Sequence, residues 1–231
     1  MLDLKRTTEI DLQIATEAAE LARGYFGQAR VEHKGDGSLV TQADREAEKL
    51  LRRRLAEFFP EHAVFGEEFG LDGPADSPYV WYLDPVDGTS NFVYGLPLWG
   101  VSVGLTYEER SLAGALVMPA LDDRYWAWEG GGAYRNGRRV QALAPRERRA
   151  NDLISVYSAD GSLYRYDYGR KHRCLGSAAH ALAGVAAGHF VAALQDNWHC
   201  HDFAAVMVMC REAGADIVDL EGRPFTSFAG M

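Results

Sequence analysis

Three apolar runs near the middle of the chain constrain its fold more than any other feature. They span residues 98–107, 112–119 and 124–129, and turn-forming residues separate them. Runs of this length are typical of strands, and connections this short join antiparallel neighbours. The pair Asn136-Gly137 favours one more tight hairpin turn just beyond them. The centre of the chain is therefore predicted to form a mostly antiparallel sheet.

Helical and strand patterns flank this sheet on both sides. Apolar residues recur at helical spacing over 8–30, and Thr41 is placed to cap a second helix over 42–59 that Pro60 ends. A polar, glycine-containing loop is predicted between them, over 31–40. Further strands are predicted at 62–70, 79–85, 152–157, 189–194 and 215–219, and further helices at 177–188 and 202–213. Helices covering mixed, largely antiparallel sheets define an α+β fold.

The size and composition of the chain indicate one domain. Its 231 residues include a basic stretch, 142–151, which is the predicted boundary between two lobes, about 1–145 and 146–231. A net charge of −9 argues against nonspecific binding to nucleic acid or anionic membranes. The three cysteines show no CxxC spacing, and the first residues form no apolar signal segment. The most apolar stretch, Ala178–Leu194, is too short to span a bilayer. We expect a cytoplasmic protein.

Acidic residues stand at or near the ends of strand-like runs at four places. They are the pair Glu67-Glu68, then Asp84, Asp87 and Asp202. Because strand ends meet at one rim of a sheet, these carboxylates could lie close together in the fold. Several like charges are costly to bury together unless a cation compensates them. Ligands that are all oxygen atoms, without a Cys/His pair, favour a hard ion such as Mg²⁺ over Zn²⁺.

Each acidic residue also has a purely structural interpretation when it is taken alone. The Asp-Gly pair at 87–88 is common in turns, and the Glu-Glu pair at 67–68 is typical of a solvated surface. Asp202 could cap the helix that follows it. Asp44 stands three residues after Thr41, as in a capping box. Sequence spacing alone leaves these alternatives open.

The stretch 84–91, DPVDGTSN, is more constrained because its parts support one another. Asp84 and Asp87 can direct two carboxylates and one main-chain carbonyl at the same place. Gly88 permits close approach of the backbone to a ligand, and the following residues offer backbone N–H groups at a predicted helix start. Metal ligands beside an anion site form the layout that hydrolysis of a phosphate ester requires.

Four segments resemble motifs of the inositol monophosphatase-like, Mg²⁺-dependent, lithium-sensitive phosphatases. In the order of that family they are GEE (66–68), WYLDPVDGTSNFVYGLPLWGVSVGL (81–105) and HCHDFAA (199–205), and DGSLVTQAD (36–44) is similar to the segment between its first two helices. The resemblance implies a layered αβαβα sandwich of the sugar phosphatase type. It also implies two or three Mg²⁺ ions, a small phosphorylated metabolite as substrate, and a homodimer.

By this resemblance, five residues would bind the metal ions. Glu67, Asp84 and the main-chain carbonyl of Val86 would hold the first Mg²⁺. Asp84, Asp87 and Asp202 would hold the second, and Glu67 would help to hold a third.

The resemblance also assigns the phosphate and the attacking water. The backbone amides of Gly88 and Thr89, with Ser90 beside them, would bind phosphate. Asp44 and Thr89 would orient and deprotonate the water, and Glu67 would contribute to catalysis through the metal.

Three residues are candidates for substrate contact. Gln195 stands where inositol-preferring members have glutamate, and His201 stands where the family usually has tryptophan. The histidine is either a neutral packing change, which is the favoured interpretation, or a change that alters the metal or substrate rim. Arg173 belongs to the segment 158–173, where substrate contacts are expected, together with Arg170 and Lys171. By the same resemblance, we expect residues 146–231 to form a lobe without the final strand and helix that are usual in the family.

The predicted function is Mg²⁺-dependent hydrolysis of a small phosphate monoester, with inositol 1-phosphate as the default substrate. Histidinol phosphate, fructose 1,6-bisphosphate and 3′-phosphoadenosine 5′-phosphate are alternatives with the same chemistry. The spelling DGTSNF favours the inositol or histidinol branches over the nucleotide branch. A non-catalytic relative is less favoured, because every position assigned to the chemistry is present.

Overall fold

The computed structural model describes residues 2–28, 31–33, 35, 39–74, 76–147, 149–157, 171–195 and 199–228. The helices in this part of the chain are α1 (Leu4–Arg23), α2 (Gln42–Phe58), α3 (Thr89–Val93), α4 (Ala178–Ala186) and α5 (Cys200–Ala213). The strands are β1 (Val31–His33), β2 (Leu39–Thr41), β3 (Ala63–Gly66), β4 (Gly70–Asp72), β5 (Tyr79–Asp87), β6 (Gly100–Tyr107), β7 (Arg110–Met118), β8 (Asp123–Trp128), β9 (Gly132–Arg135), β10 (Arg138–Val140), β11 (Ile154–Tyr157), β12 (His172–Arg173) and β13 (Ala192–Gln195). Within these ranges, no helix is long and apolar enough to cross a membrane.

Eight strands form one sheet in the order β10-β9-β8-β7-β6-β5-β3-β4. All its neighbouring strands are antiparallel except β3 and β5, which run parallel. The three apolar runs that predicted this sheet correspond to β6, β7 and β8, joined by short turns. The prediction of a mixed, largely antiparallel sheet is confirmed.

Side chains of β7 alternate between two apolar cores, one on each face of this sheet. Ala113, Ala115 and Val117 pack with α1 and α2, whereas Leu116 and Met118 pack with α4 and α5. Successive residues of a strand point to opposite faces, so a strand covered on both sides is apolar at nearly every position. The sheet therefore lies between two helical layers.

Helix α5 lies against the sheet at two glycines. A Cβ atom at Gly104 or Gly114 would overlap with the backbone of Ala205, so a larger residue at either position would push the helix away. This close approach fixes α5 against β6 and β7.

A second sheet, in the order β12-β11-β13, is parallel, and β13 packs against α4. The described layers are thus a pair of helices, the eight-stranded sheet, a second pair of helices and the three-stranded sheet. This arrangement confirms the layered α+β class. The division into two lobes stays a prediction.

Helix α1 begins and ends earlier than its apolar pattern predicts. It begins at Leu4 because the side chain of Asp3 caps it, accepting from the Arg6 N–H at 3.1 Å. It ends at Arg23, and Gly24 follows, a residue that weakens helices. The loop predicted over 31–40 also contains regular structure, since β1 and β2 pair antiparallel.

Helix α1 also buries an acidic side chain, Asp11. Its exposed fraction is 0%, and neither carboxylate oxygen has a hydrogen-bond partner in the described part of the chain. Burial raises the pKa of Asp11 well above its ordinary value, because removal from water disfavours the charged form.

The strand predicted at 215–219 is wrong. The segment forms only an isolated bridge between Val218 and Pro224. The chain reverses between them, with the Asp219 N–H donating to the Arg223 carbonyl at 2.9 Å. Val218 is 53% exposed, whereas Ala215 and Ile217 pack against the core formed with α4 and α5, so the segment packs on the fold without forming a strand.

Candidate active site

Three carboxylates from distant parts of the chain meet in one group. Oxygen atoms of Asp84, Asp87 and Asp202 all lie within 4.8 Å of one another. The first two come from the end of β5, and the third comes from the first turn of α5. A group of this kind could hold a metal ion.

A bulge in β5 explains how Asp84 and Asp87 reach the same side. In a regular strand, residues three apart point to opposite faces. The pairing of β5 with β6 shifts register between Asp84 and Asp87, with Pro85 inside the shift. Proline cannot donate to the ladder and is tolerated at a bulge. The predicted end of this strand at Pro85 is therefore wrong, since β5 continues to Asp87.

Burial controls the electrostatics of the carboxylate group. It raises the pKa of Asp84 well above its ordinary value, that of Asp87 to about 7 and that of Asp202 to about 6. Repulsion among these carboxylates and Glu67 adds to the effect. Without a cation the group therefore retains protons near neutral pH. Three carboxylates, with no nitrogen or sulfur atom in the group, fit a hard divalent ion such as Mg²⁺.

Hydrogen bonds from the backbone orient two of these carboxylates. The Val86 N–H donates to Asp84 Oδ1 at 3.0 Å, within the bulge. The His199 N–H donates to Asp202 Oδ2 at 2.8 Å, so Asp202 takes part in a capping box from within the first turn of α5. Its predicted place as the N-cap residue is wrong, because the helix begins at Cys200 and His199 is the N-cap.

Asp87 is held by the first turn of α4, which the sequence did not indicate. The Ser177 hydroxyl donates to Asp87 Oδ2, and the Ala178 N–H donates to Oδ1 at 3.0 Å. Ser177 also caps α4 by accepting from the His180 N–H at 3.2 Å. One end of α4 thus fixes both oxygens of a site carboxylate.

Asn91 joins the same two regions a short distance away. Its side-chain amide donates to the carbonyl of Leu98 at 2.6 Å and to that of Leu175 at 2.8 Å. Gly88 has φ 89°, and a Cβ atom there would lie 2.9 Å from the Leu98 carbonyl oxygen. The turn before α4 therefore packs directly on the stretch 84–91.

Asp44 serves both as a helix cap and as a neighbour of Thr89. Its Oδ2 accepts from the backbone N–H of Thr41, at 2.8 Å, and from the Thr41 hydroxyl, which completes a capping box on α2. Its Oδ1 lies 3.5 Å from the Thr89 hydroxyl, which is also 3.1 Å from the Val86 carbonyl oxygen. Burial raises the pKa of Asp44 to about 6.

Glu67 lies in the turn between β3 and β4. Its N–H donates to the Leu83 carbonyl at 3.1 Å, which ties the turn to β5. Its charge raises the pKa values of Asp84, Asp202 and Asp44, so its carboxylate is close to all three. It is not one of the three carboxylates within 4.8 Å of one another.

Gly88, Thr89 and Ser90 lie at the start of α3, with Gly88 as its N-cap residue. The Gly88 carbonyl accepts from the Phe92 N–H at 3.0 Å, as in a regular first turn. The amides that begin such a turn have no acceptor within the helix.

The three candidates for substrate contact differ in position. The ring of His201 stacks between those of Phe65 and His199, and its Nε2 lies 3.9 Å from Asp202 Oδ1. Gln195 ends β13, and its buried amide has no hydrogen-bond partner in the ranges described.

Arg173 is exposed, and its guanidinium donates to the His172 carbonyl at 2.9 Å. The described contacts therefore join only His201 to the carboxylate group. Residues 158–170, including Arg170, lie outside the described part of the chain.

The fold and this site define a class of protein. A layered α+β sandwich with an oxygen-only acidic group at a strand end, beside a threonine–carboxylate pair, is the framework of a metal-dependent phosphatase. The chain belongs to the inositol monophosphatase family, whose model matches residues 3–230. It is therefore a phosphoric monoester hydrolase.

Relatives named for different activities resemble the chain to a similar degree. A fructose-1,6-bisphosphatase/inositol-1-monophosphatase of Aquifex aeolicus is 33% identical, over 97% of this chain and 89% of its own. A histidinol-phosphatase of Chlorobaculum parvum is 34% identical, over 93% of this chain and 86% of its own. The solved structure of an IMPase of Thermotoga maritima superimposes with a TM-score of 0.83 at 28% identity, covering 95% of this chain and 88% of the other.

Proposed function

We propose that the chain uses Mg²⁺ to hydrolyse the phosphate monoester of a small polyol or sugar, and that inositol 1-phosphate is the first substrate to test. The observation that carries this proposal is the meeting of Asp84, Asp87 and Asp202 next to the stretch that contains Thr89. Membership of the family supports the reaction class.

Five residues would hold the ions. Glu67, Asp84 and the Val86 carbonyl would bind one Mg²⁺, Asp84, Asp87 and Asp202 a second, and Glu67 would help with a third. When bound, the ions supply positive charge at the phosphate and lower the pKa of a coordinated water. The raised pKa values of the carboxylates mean that Mg²⁺ binds in competition with protons.

Thr89 and Asp44 would orient and deprotonate the attacking water. The Thr89 hydroxyl has one proton and two acceptors, Asp44 Oδ1 and the Val86 carbonyl. If the carbonyl of Val86 is used by the metal, Thr89 donates to Asp44. The hydroxyl oxygen is then left to accept a hydrogen bond from the water and to orient it. Asp44 must be ionised to take up a proton as the base, which its pKa of about 6 allows at neutral pH.

The phosphate would be bound by the amides of Gly88, Thr89 and Ser90, since N–H groups at a helix start attract anions. His201 and Gln195 would contact the rest of the substrate, with Arg173 near a second anionic group. The Gln195 amide carries no charge, so it would hydrogen-bond to a hydroxyl of a polyol or to an equivalent polar group.

A release assay for inorganic phosphate tests this proposal. Wild-type protein with Mg²⁺ is offered inositol 1-phosphate, histidinol phosphate, fructose 1,6-bisphosphate and 3′-phosphoadenosine 5′-phosphate, each with and without lithium. We expect release from at least one compound, dependence on Mg²⁺ and inhibition by lithium. No release from any of them, together with no Mg²⁺ binding by calorimetry, would overturn the proposal.

We further propose a cytoplasmic homodimer of chains that each have two lobes. Light scattering on the purified protein measures the mass of the assembly directly, and a monomer at micromolar concentration would contradict the dimer. Cell fractionation tests the location.

A further inference from the structure

We propose that Glu48 and Arg52 of α2 are positioning residues that hold the turn 67–69 in place and thereby set the affinity of Glu67 for its metal ion. This inference rests on the proposed role of Glu67 as a metal ligand. Both residues lie on the helix that also carries Asp44, but neither belongs to a sequence motif quoted above.

Glu48 is a fully buried carboxylate whose acceptors point at the turn. Its Oε2 accepts from the Glu68 N–H at 2.7 Å, and its Oε1 accepts from the Phe69 N–H at 3.2 Å. These are the two backbone amides that directly follow Glu67. A carboxylate that accepts two amides in a buried place fixes the backbone more strongly than neutral acceptors do.

Arg52 extends this contact to the strands on both sides of the turn. Its Nε donates to Glu48 Oε1 at 2.8 Å, and its terminal nitrogens donate to the carbonyls of Gly70 in β4 and Val64 in β3. The planar guanidinium makes all these contacts in one orientation. The pair Glu48–Arg52 therefore holds the turn and both strands next to it.

Gly66 gives independent evidence from shape. A Cβ atom at this position would overlap with the carboxylate of Glu48. The carboxylate thus occupies the space that a side chain just before Glu67 would need. The residue before Glu67 and the two after it all contact Glu48, so Glu67 is held from both sides.

Stability alone is a weak reason to bury this pair. A buried ion pair of this kind often contributes little to stability compared with apolar residues of similar volume. What the pair does supply is one defined conformation for the turn. A ligand held in one orientation loses less freedom when it binds a metal, and changes behind a ligand typically lower metal affinity about 10–100-fold.

The experiment is a calorimetric titration of metal-free protein with Mg²⁺, for wild type, Glu48→Gln and Arg52→Lys. In Glu48→Gln an NH2 group replaces one carboxylate oxygen. A donor then faces a donor where the wild-type oxygen accepts a hydrogen bond. Arg52→Lys keeps the positive charge, so the protein is expected to fold. The lysine lacks the planar guanidinium that donates to Glu48 and to both strands at once. Glu46→Gln is the matched control, since Glu46 is on the same helix and pairs only with Lys49 among the described ion pairs.

We expect Glu48→Gln and Arg52→Lys to weaken the Glu67-dependent Mg²⁺ binding about tenfold, with Glu46→Gln within twofold of wild type. In a Glu67→Gln background the two variants should cause no further loss. The inference would be overturned if Arg52→Lys bound Mg²⁺ with wild-type affinity. It would also be overturned if the two variants lowered Mg²⁺ affinity equally in the wild-type and Glu67→Gln backgrounds. Failure of the proposed function would differ: wild type would release no phosphate and would bind no Mg²⁺ in the titration.

Discussion

The hydroxyl of Ser177 provides the sharpest test of how the site is built. Ser177→Ala removes the donor to Asp87 Oδ2 and leaves the Ala178 amide on Oδ1. Ser177 and Asp87 are only 3% and 4% exposed, so water cannot readily replace the lost donor. A hydrogen bond to a charged group contributes about 1.5–3 kcal/mol, which is about 10–100-fold in an equilibrium constant.

The direction of the effect follows from the proton on Asp87. The Ser177 hydroxyl stabilises the ionised form, so its loss raises a pKa that is already about 7. Mg²⁺ must then displace a more tightly held proton. We expect Mg²⁺ affinity to fall about 10–100-fold at pH 7 and to recover towards the wild-type value at pH 9, where Asp87 is ionised more fully.

Calorimetric titration with Mg²⁺ at pH 7 and pH 9 measures this directly. Ser177→Thr keeps the hydroxyl and is the matched control. Loss of the α4 cap should also lower stability by about 1 kcal/mol in urea unfolding. Unchanged affinity at pH 7 would refute the role of Ser177. A loss of equal size at both pH values would mean that it acts by shape and not through the proton.

Three further substitutions test other parts of the structure. Asp87→Asn should lower phosphate release at least about 100-fold, because a metal ligand loses its charge, yet leave the urea midpoint nearly unchanged; near-full activity would contradict the two-metal assignment. Asp11→Asn should remove the part of the loss of stability at rising pH that Asp11 causes above about pH 4, where the unfolded chain releases the Asp11 proton and the folded chain keeps it; the buried site carboxylates, whose pKa values are also raised, cause the remainder. The free energy of unfolding changes through Asp11 by at most about 1.4 kcal/mol per pH unit. If the urea midpoint changed equally in both proteins between pH 5 and pH 8, this prediction would be refuted. Gly104→Ala should cost about 1–3 kcal/mol in urea, because its Cβ overlaps with α5; a wild-type midpoint would mean that α5 moves freely.

The local part of the site could be predicted from the sequence, because its residues are neighbours. Asp84, Asp87 and Thr89 lie within a few residues, and the bulge at Pro85 brings the two carboxylates to one side. Asp44 had two interpretations: the structure confirms that it caps α2 and puts its other oxygen 3.5 Å from the Thr89 hydroxyl, while its role with the attacking water stays a prediction.

The supporting contacts could not be predicted, because they depend on packing. Ser177 follows Asp87 by 90 positions, and nothing near Ser177 indicates which carboxylate its hydroxyl reaches. Glu48 reads as an ordinary helical glutamate until the turn 67–69 is placed beside it. The segment 215–219 shows the opposite error. Its apolar residues suggested a strand, but in the described fold the segment pairs only through the single bridge between Val218 and Pro224, so no ladder forms.

The contacts of Asp87 and Asn91 with the turn before α4 also limit how such a protein can be recombined. A hybrid joined at 142–151 would take the stretch 84–91 from one parent and residues 174–178 from the other. Its carboxylate group would be oriented in the same way only if the second parent supplied a hydroxyl at 177 and left room for Asn91 to reach the carbonyl of residue 175. Segments after residue 151 can therefore be exchanged between two such proteins only if the parents match at the contacts between 84–91 and 174–178.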